Sequence, residues 1–253
     1  MEPPRSPSRA LTWLEPARAA GELAALLPAS PFLASAPRGD GHTVLVLPGF
    51  MATDASTGVL RAYLRSRGLR PEPWGLGRNL GFARMRDALH EQFLSLSDAV
   101  GERVSVVGWS LGGLLGRSLA RHHPERIRTL VALGSPLNGH PGDTAVGRLY
   151  ARVNPDVRAR FAALRRSGDV LAPPVDVPST AIYSRSDGVV PWPMAREIRS
   201  ERAESIRVVA SHLGLGVNAA VLYAVADRLA QADGAWRPFK PPAWSRILYP
   251  RID

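Results

Sequence analysis

The stretch Arg103-Val104-Ser105-Val106-Val107-Gly108-Trp109-Ser110-Leu111-Gly112 decides the fold of this chain. Its first five residues are largely apolar and β-branched, which predicts a buried strand, and residues 113–122 are compatible with a helix. A serine flanked by glycines between a strand and a helix is typical of a nucleophile elbow. In that strained turn, a side chain beside the serine would collide with neighbouring backbone. We therefore expect the Ser110 hydroxyl to stand clear of the sheet.

Two later strand-like runs each lead to a polar residue that a reactive serine needs. Residues 179–183 precede Asp187, and residues 206–209 precede His212. Open α/β sheets place their sites at the carboxyl ends of the strands. Serine, aspartate and histidine also follow one another in the chain order of one known class of triad. We predict Ser110 as a nucleophile, His212 as its general base and Asp187 as the acid that orients the base.

Other residues compete for two of these roles. Asp169 and Asp176, in or next to an insert that begins at residue 137, are alternatives to Asp187. Among the six histidines, His140 is the main alternative to His212, because it lies in the same insert near the site. The remaining histidines are expected before the first strand, inside a helix or at the end of a helix: His42, His90, His122 and His123.

Three motifs together make the chain resemble the α/β-hydrolase superfamily, in particular compact bacterial lipases and esterases. They are Leu47-Pro48-Gly49-Phe50, Gly108-Trp109-Ser110-Leu111-Gly112-Gly113, and Ser186-Asp187-Gly188-Val189-Val190-Pro191 with its later histidine. The resemblance covers residues 42–230. It implies a serine hydrolase that cleaves carboxylic esters through an acyl-enzyme. An acyltransferase or thioesterase with the same triad is an alternative, and a non-catalytic binding protein is a further one.

The resemblance also implies how an oxyanion would be held. The backbone N–H of Leu111, directly after the nucleophile, would be one donor. Phe50 would supply the other, with Met51 as the alternative. Pro48 stands where the family commonly has a histidine, so a hydrogen bond that steadies this loop is missing. Apolar residues beside the catalytic positions are candidates for substrate contact: Met51, Trp109, Trp192 and Leu213.

Strands alternate with helical segments along the chain, which predicts an α/β fold with a mostly parallel central sheet, helices on both faces and a short cap insert. Residues 43–233 form the predicted domain, and the cap insert lies at about 137–178. Residues 1–42 form an extension and linker, with disorder expected over 1–10 and a short amphipathic helix at about 16–27. Residues 234–253 form a tail rich in proline and aromatic residues, which we expect to strap across the domain.

Composition limits the function classes. A chain of 253 residues is long enough for one α/β domain with a full core. It contains no apolar run of about 20 residues, which argues against a transmembrane helix. Residues 23–36 are fairly apolar and end like a signal cleavage site, but Pro28 and Pro31 break this run, and Glu2, Glu15 and Glu22 intrude before it. We therefore expect a cytoplasmic protein, with secretion as the less favoured alternative.

Charge and ligand types indicate the partners. The net charge is +10 and comes almost entirely from arginine, with Lys240 as the single lysine. The arginines are scattered, which favours a solvated surface over a specific nucleic-acid site and leaves weak attraction to anionic surfaces as the alternative. Cysteine is absent, and neither a nucleotide-binding motif nor a metal-ligand cluster is recognisable, so we expect no cofactor and no metal. The expected partner is a small-molecule or lipid ester; no oligomeric state is indicated.

Overall fold

A six-stranded, entirely parallel sheet lies at the centre of the computed structural model, which describes residues 6–139, 141–155, 174–197 and 200–251. The strands stand in the order β2-β1-β3-β4-β5-β6. Their bounds are β1 Thr43–Leu47, β2 Arg70–Pro73, β3 Val104–Trp109, β4 Ile127–Leu133, β5 Ser179–Ser184 and β6 Ala203–Val208. The predicted fold class, a mostly parallel α/β sheet, is confirmed.

Helices cover both faces of this sheet. In the described ranges they are α1 Arg9–Ala24, α2 Ser30–Ala34, α3 Gly58–Ser66, α4 Phe82–Val100, α5 Leu111–His122, α6 Gly147–Val153 and α7 Ala219–Leu229. Short 3-10 helices lie at Asp54–Thr57, Pro124–Arg126, Pro141–Asp143, Trp192–Ala195 and Ala243–Leu248. Within the same ranges, no helix combines the length and the apolar character needed to cross a membrane.

The core has two layers, one on each face of the sheet. Successive side chains of a strand point to opposite faces. In β1, Val44 and Val46 pack with α2, α3 and α7, whereas Leu45 and Leu47 pack with α4 and α5. Each such side chain contributes roughly 1.5–3 kcal/mol when it is fully buried. The unbroken apolar run of β1 is therefore the pattern of a strand that is covered on both faces.

The N-terminal region is more ordered than we expected. Helix α1 begins at Arg9 instead of about residue 16, and the Ser8 side chain caps it by accepting a hydrogen bond from the Leu11 N–H. Pro16 lies inside α1. Helix α2 lies within the stretch expected as a linker. A short 3-10 helix, Trp192–Ala195, follows the loop of Asp187.

Helix α1 has an unusual orientation of its side chains. Trp13 and Leu14 on this helix are 83% and 52% exposed, whereas Glu15 is only 2% exposed. The helix thus turns a carboxylate toward the protein body and apolar side chains toward solvent, the reverse of an ordinary amphipathic surface helix. Hydrogen bonds must therefore supply much of what holds α1 in place.

The C-terminal tail contacts the domain through two aromatic rings. Phe239 and Tyr249 pack edge to face with centroids 4.9 Å apart, and both join the core layer of α7. The Tyr249 hydroxyl donates a hydrogen bond of 2.9 Å to the carbonyl of Ala220. Trp244 and Ile247 stay exposed. The tail thus follows the course expected of a strap.

A buried ion pair joins the helix after Ser110 to the segment between β5 and β6. Arg117 of α5 pairs with Glu197, and both side chains are almost fully buried. Glu197 also accepts a hydrogen bond of 3.0 Å from the Ser179 hydroxyl. Removal of one partner of such a pair leaves an uncompensated charge in the protein interior.

We expect Arg117→Met to lower the free energy of unfolding by about 3–5 kcal/mol, because the Glu197 carboxylate would stay buried without its cation. Urea denaturation followed by circular dichroism measures this loss. The matched control is Arg70→Met, which breaks a solvent-exposed pair with Glu102 and should change stability little. Equal losses in the two variants would show that burial of the Arg117 pair has no energetic importance.

Candidate active site

Ser110 occupies a strained turn between β3 and α5. Its φ of 54° and ψ of −118° lie in a region that residues other than glycine rarely adopt. Its N–H donates a hydrogen bond of 2.7 Å to the carbonyl of Leu133 at the end of β4. A Cβ at Gly108 would lie 2.4 Å from the Gly112 carbonyl carbon, and one at Gly112 would lie 2.4 Å from the Leu47 oxygen. The predicted steric need for both glycines is confirmed.

Asp187 and His212 are in direct contact at the same edge of the sheet. Asp187 Oδ2 accepts a hydrogen bond of 2.7 Å from His212 Nδ1. Its other oxygen, Oδ1, accepts hydrogen bonds from the N–H groups of Val189 and Val190, at 2.8 and 2.7 Å. Both catalytic candidates are buried. The carboxylate is therefore held from three directions and fixes the imidazole with its proton on Nδ1.

Opposing effects act on the charge of His212. Burial alone would lower the pKa of this imidazole. The charge of Asp187, the hydrogen bond to Asp187 and the charge of Glu15 outweigh burial and raise the pKa above its usual 6.5. The site is thus built to stabilise an imidazolium, which is the form that a general base reaches after it takes a proton.

The end of β4 connects Ser110 to the Asp187–His212 pair. Ser110 bonds to Leu133, and the next residue, Gly134, lies directly against the pair: a Cβ there would be 3.1 Å from Asp187 Oδ2 and 3.2 Å from His212 Nδ1. Trp109 Nε1 also donates a hydrogen bond of 3.1 Å to the carbonyl of His212. Among the described residues, no hydrogen bond joins the Ser110 hydroxyl to His212 Nε2. Catalytic hydrogen bonds of this kind often tighten only when substrate binds.

The loop after β1 approaches Ser110 closely. A Cβ at Gly49 would lie 3.3 Å from the Ser110 Cβ. Met51 has a positive φ of 62°, and its N–H donates a hydrogen bond of 2.8 Å to the carbonyl of Asn79. The N–H groups of Phe50 and Leu111 donate to no acceptor in the described part of the chain. The Met51 N–H is therefore engaged, whereas the N–H groups of Phe50 and Leu111 stay open.

Asn79 is a site residue that the sequence did not reveal. It is fully buried, and its side-chain amide donates a hydrogen bond of 2.9 Å to the carbonyl of Pro48. Its backbone N–H donates to the carbonyl of Ala52 at 2.9 Å. With these bonds and the one to the Met51 N–H, Asn79 holds the loop after β1. It thus supports the loop in which Pro48 stands at the position of the histidine expected from the resemblance. The only signal in the sequence is a polar residue within the glycine-rich stretch 75–81.

The four candidates for substrate contact occupy different environments. Trp109 is buried, and its indole packs so closely under Gly216 that a Cβ there would lie 2.9 Å from Cζ3. Its indole thus supports the loop of His212, and its contact with substrate stays a prediction. Trp192 is half-buried, stacks on Tyr183 and lies 4.7 Å from the Arg185 guanidinium. Met51 is half-buried and Leu213 is 45% exposed, so both remain accessible.

A second chain of aspartate, histidine and serine lies at the opposite edge of the sheet. His42 Nδ1 bonds to Asp40 at 2.6 Å, and His42 Nε2 bonds to the Ser105 hydroxyl at 2.8 Å. Ser105 is 0% exposed within β3, and burial lowers the pKa of His42 despite Asp40. This serine has neither the strained turn nor the solvent access of Ser110. Its hydrogen bonds link the segment before β1 to β3.

The competing residues lie elsewhere or outside the described ranges. Asp176 is exposed before the start of β5, at the edge opposite to His212, and its carbonyl accepts a hydrogen bond from Arg202. His140 and Asp169 are among the residues that the structure does not describe. The other three histidines form a cluster between α4 and α5, where burial and the neighbouring rings lower the pKa of His90 to about 4. Within the described ranges, no group of three or more acidic or histidine side chains could hold a metal ion.

Comparisons with known proteins identify relatives of part of the chain. A family model described as alpha/beta hydrolase fold matches residues 60–164. Over 104 residues the chain is 38% identical to a pimeloyl-(acyl-carrier protein) methyl ester esterase of Salmonella heidelberg (strain SL476). That segment is 37% of this chain and spans only 40% of the esterase.

Solved structures show the same fold at low sequence identity. Aspergillus fumigatus lipase B superposes with a TM-score of 0.56 and 18% identity, over 81% of this chain and 56% of the lipase. The pyrethroid hydrolase PytH superposes with a TM-score of 0.50 and 20% identity, over 75% of this chain and 94% of the hydrolase. At these identities the likeness concerns the arrangement of strands and helices.

The pKa of His212 provides a test of the Asp187 contact. We expect the His212 ring protons to titrate above pH 6.5 in nuclear magnetic resonance spectra, and Asp187→Asn to lower this pKa, because the imidazolium loses its counter-charge. A folded-state pKa above the unfolded value stabilises the protein below the unfolded pKa, and this stabilisation is lost as pH rises through the folded pKa. The stability difference between wild type and Asp187→Asn should therefore shrink toward alkaline pH. A His212 pKa that Asp187→Asn leaves unchanged would contradict the contact.

Proposed function

We propose that this chain, which has the α/β-hydrolase fold, is a serine hydrolase that cleaves carboxylic esters through an acyl-enzyme. Ser110 is the nucleophile, His212 the general base and Asp187 the residue that orients the base. The observation that carries this proposal is the buried Asp187–His212 hydrogen bond at the strand end to which the elbow of Ser110 is also bonded. In contrast to the structural Asp40–His42–Ser105 chain, this pair lies at the edge of the sheet where the serine occupies a strained turn.

The reaction proceeds in two steps of the same kind. His212 Nε2 takes the proton of the Ser110 hydroxyl while Oγ forms a bond to the carbonyl carbon of the ester. The tetrahedral intermediate then collapses, the ester C–O bond breaks, and the imidazolium returns the proton to the leaving alcohol. In the second step, His212 takes a proton from water while the water oxygen attacks the acyl carbon. The ester bond to Ser110 Oγ then breaks, the proton returns to Oγ, and the carboxylic acid is released. Asp187 stays ionised throughout and stabilises the imidazolium.

The negative charge of the tetrahedral oxygen is stabilised by the N–H groups of Phe50 and Leu111. Leu111 directly follows Ser110, Phe50 directly follows Gly49, which approaches Ser110 closely, and Asn79 engages the alternative donor Met51; these three observations support the assignment. The loss of one such donor typically costs about 3–4 kcal/mol of barrier. Asn79 contributes indirectly, since it fixes the backbone on either side of Phe50.

The substrate is an ester with an apolar acyl group. Met51 and Leu213 flank the catalytic positions with accessible apolar side chains, and the Phe50 ring packs edge to face against Tyr150 of α6 at 5.0 Å. Helix α6 belongs to the cap insert, so the cap reaches the loop of Phe50. The named activity of the Salmonella relative, a methyl ester esterase, supports an ester as the bond that is cleaved.

Two serine variants test the nucleophile. We expect Ser110→Ala to abolish hydrolysis of p-nitrophenyl butyrate, with a loss of at least about 10³-fold in kcat/KM. Among the residues that the structure describes, no other serine or threonine occupies a turn with positive φ. Ser105→Ala is the matched control, because it removes the serine of the buried Asp40–His42–Ser105 chain and should preserve the rate of the folded protein. The opposite result, with Ser105→Ala inactive and Ser110→Ala active, would transfer the site to the other edge of the sheet.

The loop of Phe50 provides a separate test. Asn79→Ala removes the hydrogen bond to Pro48, so the Phe50 N–H should lose its fixed position. We expect kcat on the same ester to fall about 10- to 100-fold with a smaller change in KM, since the donor acts mainly on the transition state. Steady-state kinetics together with a thermal melt separates this effect from unfolding. Wild-type kcat in folded Asn79→Ala would exclude Asn79 as the support of the oxyanion loop.

A further inference from the structure

Polar side chains of α1 reach the loops that carry Asp187 and His212. Thr12 Oγ1 donates a hydrogen bond of 2.6 Å to the carbonyl of Gly188. Arg18 donates to the carbonyl of Ser186 at 2.6 Å and to its hydroxyl at 2.9 Å. The residues on both sides of Asp187 are thus bonded to the same helix.

Glu15 joins the two loops with a single carboxylate. Its Oε1 accepts a hydrogen bond of 2.7 Å from the N–H of Gly188, and its Oε2 accepts one of 2.8 Å from the N–H of Leu213. Gly188 directly follows Asp187, and Leu213 directly follows His212. A buried carboxylate therefore spans the gap between the loop of the acid and the loop of the base.

Glu22 makes a similar contact about two turns further along the same helix. It accepts a hydrogen bond of 2.6 Å from the N–H of Ser211, directly before His212, and one of 3.0 Å from the Asn218 side chain. The four polar side chains recur every three to four residues, at positions 12, 15, 18 and 22. This spacing places them on one face of the helix and explains why that face is turned inward.

The loops fit closely against α1. A Cβ at Gly188 would lie 2.6 Å from the Leu11 carbonyl oxygen, and one at Gly214 would lie 2.3 Å from Glu22 Oε2. At Gly188 a side chain would meet the helix backbone, so glycine lets α1 approach there; at Gly214 it would meet the Glu22 carboxylate that bonds to this loop. The N–H groups of Gly188, Ser211 and Leu213 find their acceptors on α1, whereas other N–H groups of the two loops bond within the loops themselves.

We infer that Glu15 is a positioning residue for the reaction, which fixes the loops of Asp187 and His212 relative to each other through its two hydrogen bonds. This inference rests on the proposed function. Both bonds are made to a carboxylate, and charge-assisted hydrogen bonds of this kind are among the stronger ones in proteins. A misplacement of about 1 Å in a catalytic group can cost about 100-fold in rate.

The charge of Glu15 also bears on the base. Four charged groups of the described residues lie on the elements packed against His212. Asp187 bonds to the imidazole directly, and Glu15 and Glu22 of α1 bond to the residues on either side of His212. The fourth is Arg18, which lies 3.6 Å from Glu15. The negative charge of Glu15 raises the pKa of His212. Because the base must be neutral to act, removal of this charge extends activity toward acidic pH.

Glu15→Gln in the full-length protein tests the inference. Glutamine offers one acceptor oxygen, so one loop loses its bond and meets an amide donor instead. On p-nitrophenyl butyrate we expect kcat to fall about 10- to 100-fold, and the acid limb of the pH profile of kcat/KM to move to lower pH. A merely structural role would not shift this limb. Glu72→Gln on the exposed edge strand β2 is the matched control and should behave as wild type.

Glu15→Asp distinguishes the effect of the negative charge from the effect of side-chain length. It also replaces Glu15→Gln if a thermal melt shows that Glu15→Gln does not fold. Aspartate is shorter by one methylene and cannot span both loops, but it keeps the negative charge. We expect kcat to fall while the acid limb stays near its wild-type position. Wild-type kcat in folded Glu15→Asp, or wild-type kcat with an unmoved acid limb in folded Glu15→Gln, would overturn the inference.

Labelling by a fluorophosphonate distinguishes failure of the inference from failure of the proposed function. If the wild-type protein does not react with the probe at Ser110, the proposed function is wrong and the inference falls with it. If wild type and Glu15→Gln react at Ser110 at the same rate and have the same kcat, the function stands and only the positioning role of Glu15 is refuted. Slower labelling of Glu15→Gln supports both.

Discussion

The hydrogen bond between Asp187 Oδ2 and His212 Nδ1 is the interaction on which the rest of the site depends. Both groups are buried, and an isolated charge in such surroundings would be costly. The bond fixes the proton on Nδ1, leaves Nε2 as the nitrogen that can accept a proton, and stabilises the imidazolium that results. Its geometry depends in turn on backbone donors at Val189 and Val190 and on the close approach of Gly134. The proposed function depends on how these supports hold the Asp187–His212 pair at the edge of the sheet where Ser110 lies.

The chain holds two sets of aspartate, histidine and serine, and the difference between them is physical. In the Asp40–His42–Ser105 set, the serine is a regular strand residue without solvent access, so its hydrogen bond only ties β3 to the segment before β1. Ser110 instead occupies a turn with positive φ at the carboxyl end of the sheet, with two open N–H groups nearby. The residue types alone therefore do not make a site; strain, exposure and nearby donors do.

The sequence was sufficient to predict the sheet, the elbow and the residues at three strand ends, because each depends on a local pattern: an apolar β-branched run, a glycine-flanked serine, a polar residue after a strand. It was insufficient for Asn79, Glu15 and the true environment of Trp109. Their contacts join segments far apart in the chain, as when Glu15 bonds to Gly188 and Leu213. Helix α1 was misjudged for the same reason, since its buried face is polar and carries no apolar period to reveal it.

The proposed proton transfer from Ser110 to His212 is the most direct point at which to test the whole arrangement, because no hydrogen bond among the described residues joins the two side chains. The decisive measurement is a crystal structure of the full-length protein after reaction with an alkyl fluorophosphonate. We expect phosphorus bonded to Ser110 Oγ, the phosphoryl oxygen bound by the N–H groups of Phe50 and Leu111, and His212 Nε2 within about 3.2 Å of an adduct oxygen. An adduct on another residue, or an imidazole turned away from Ser110 in the adduct, would contradict the triad.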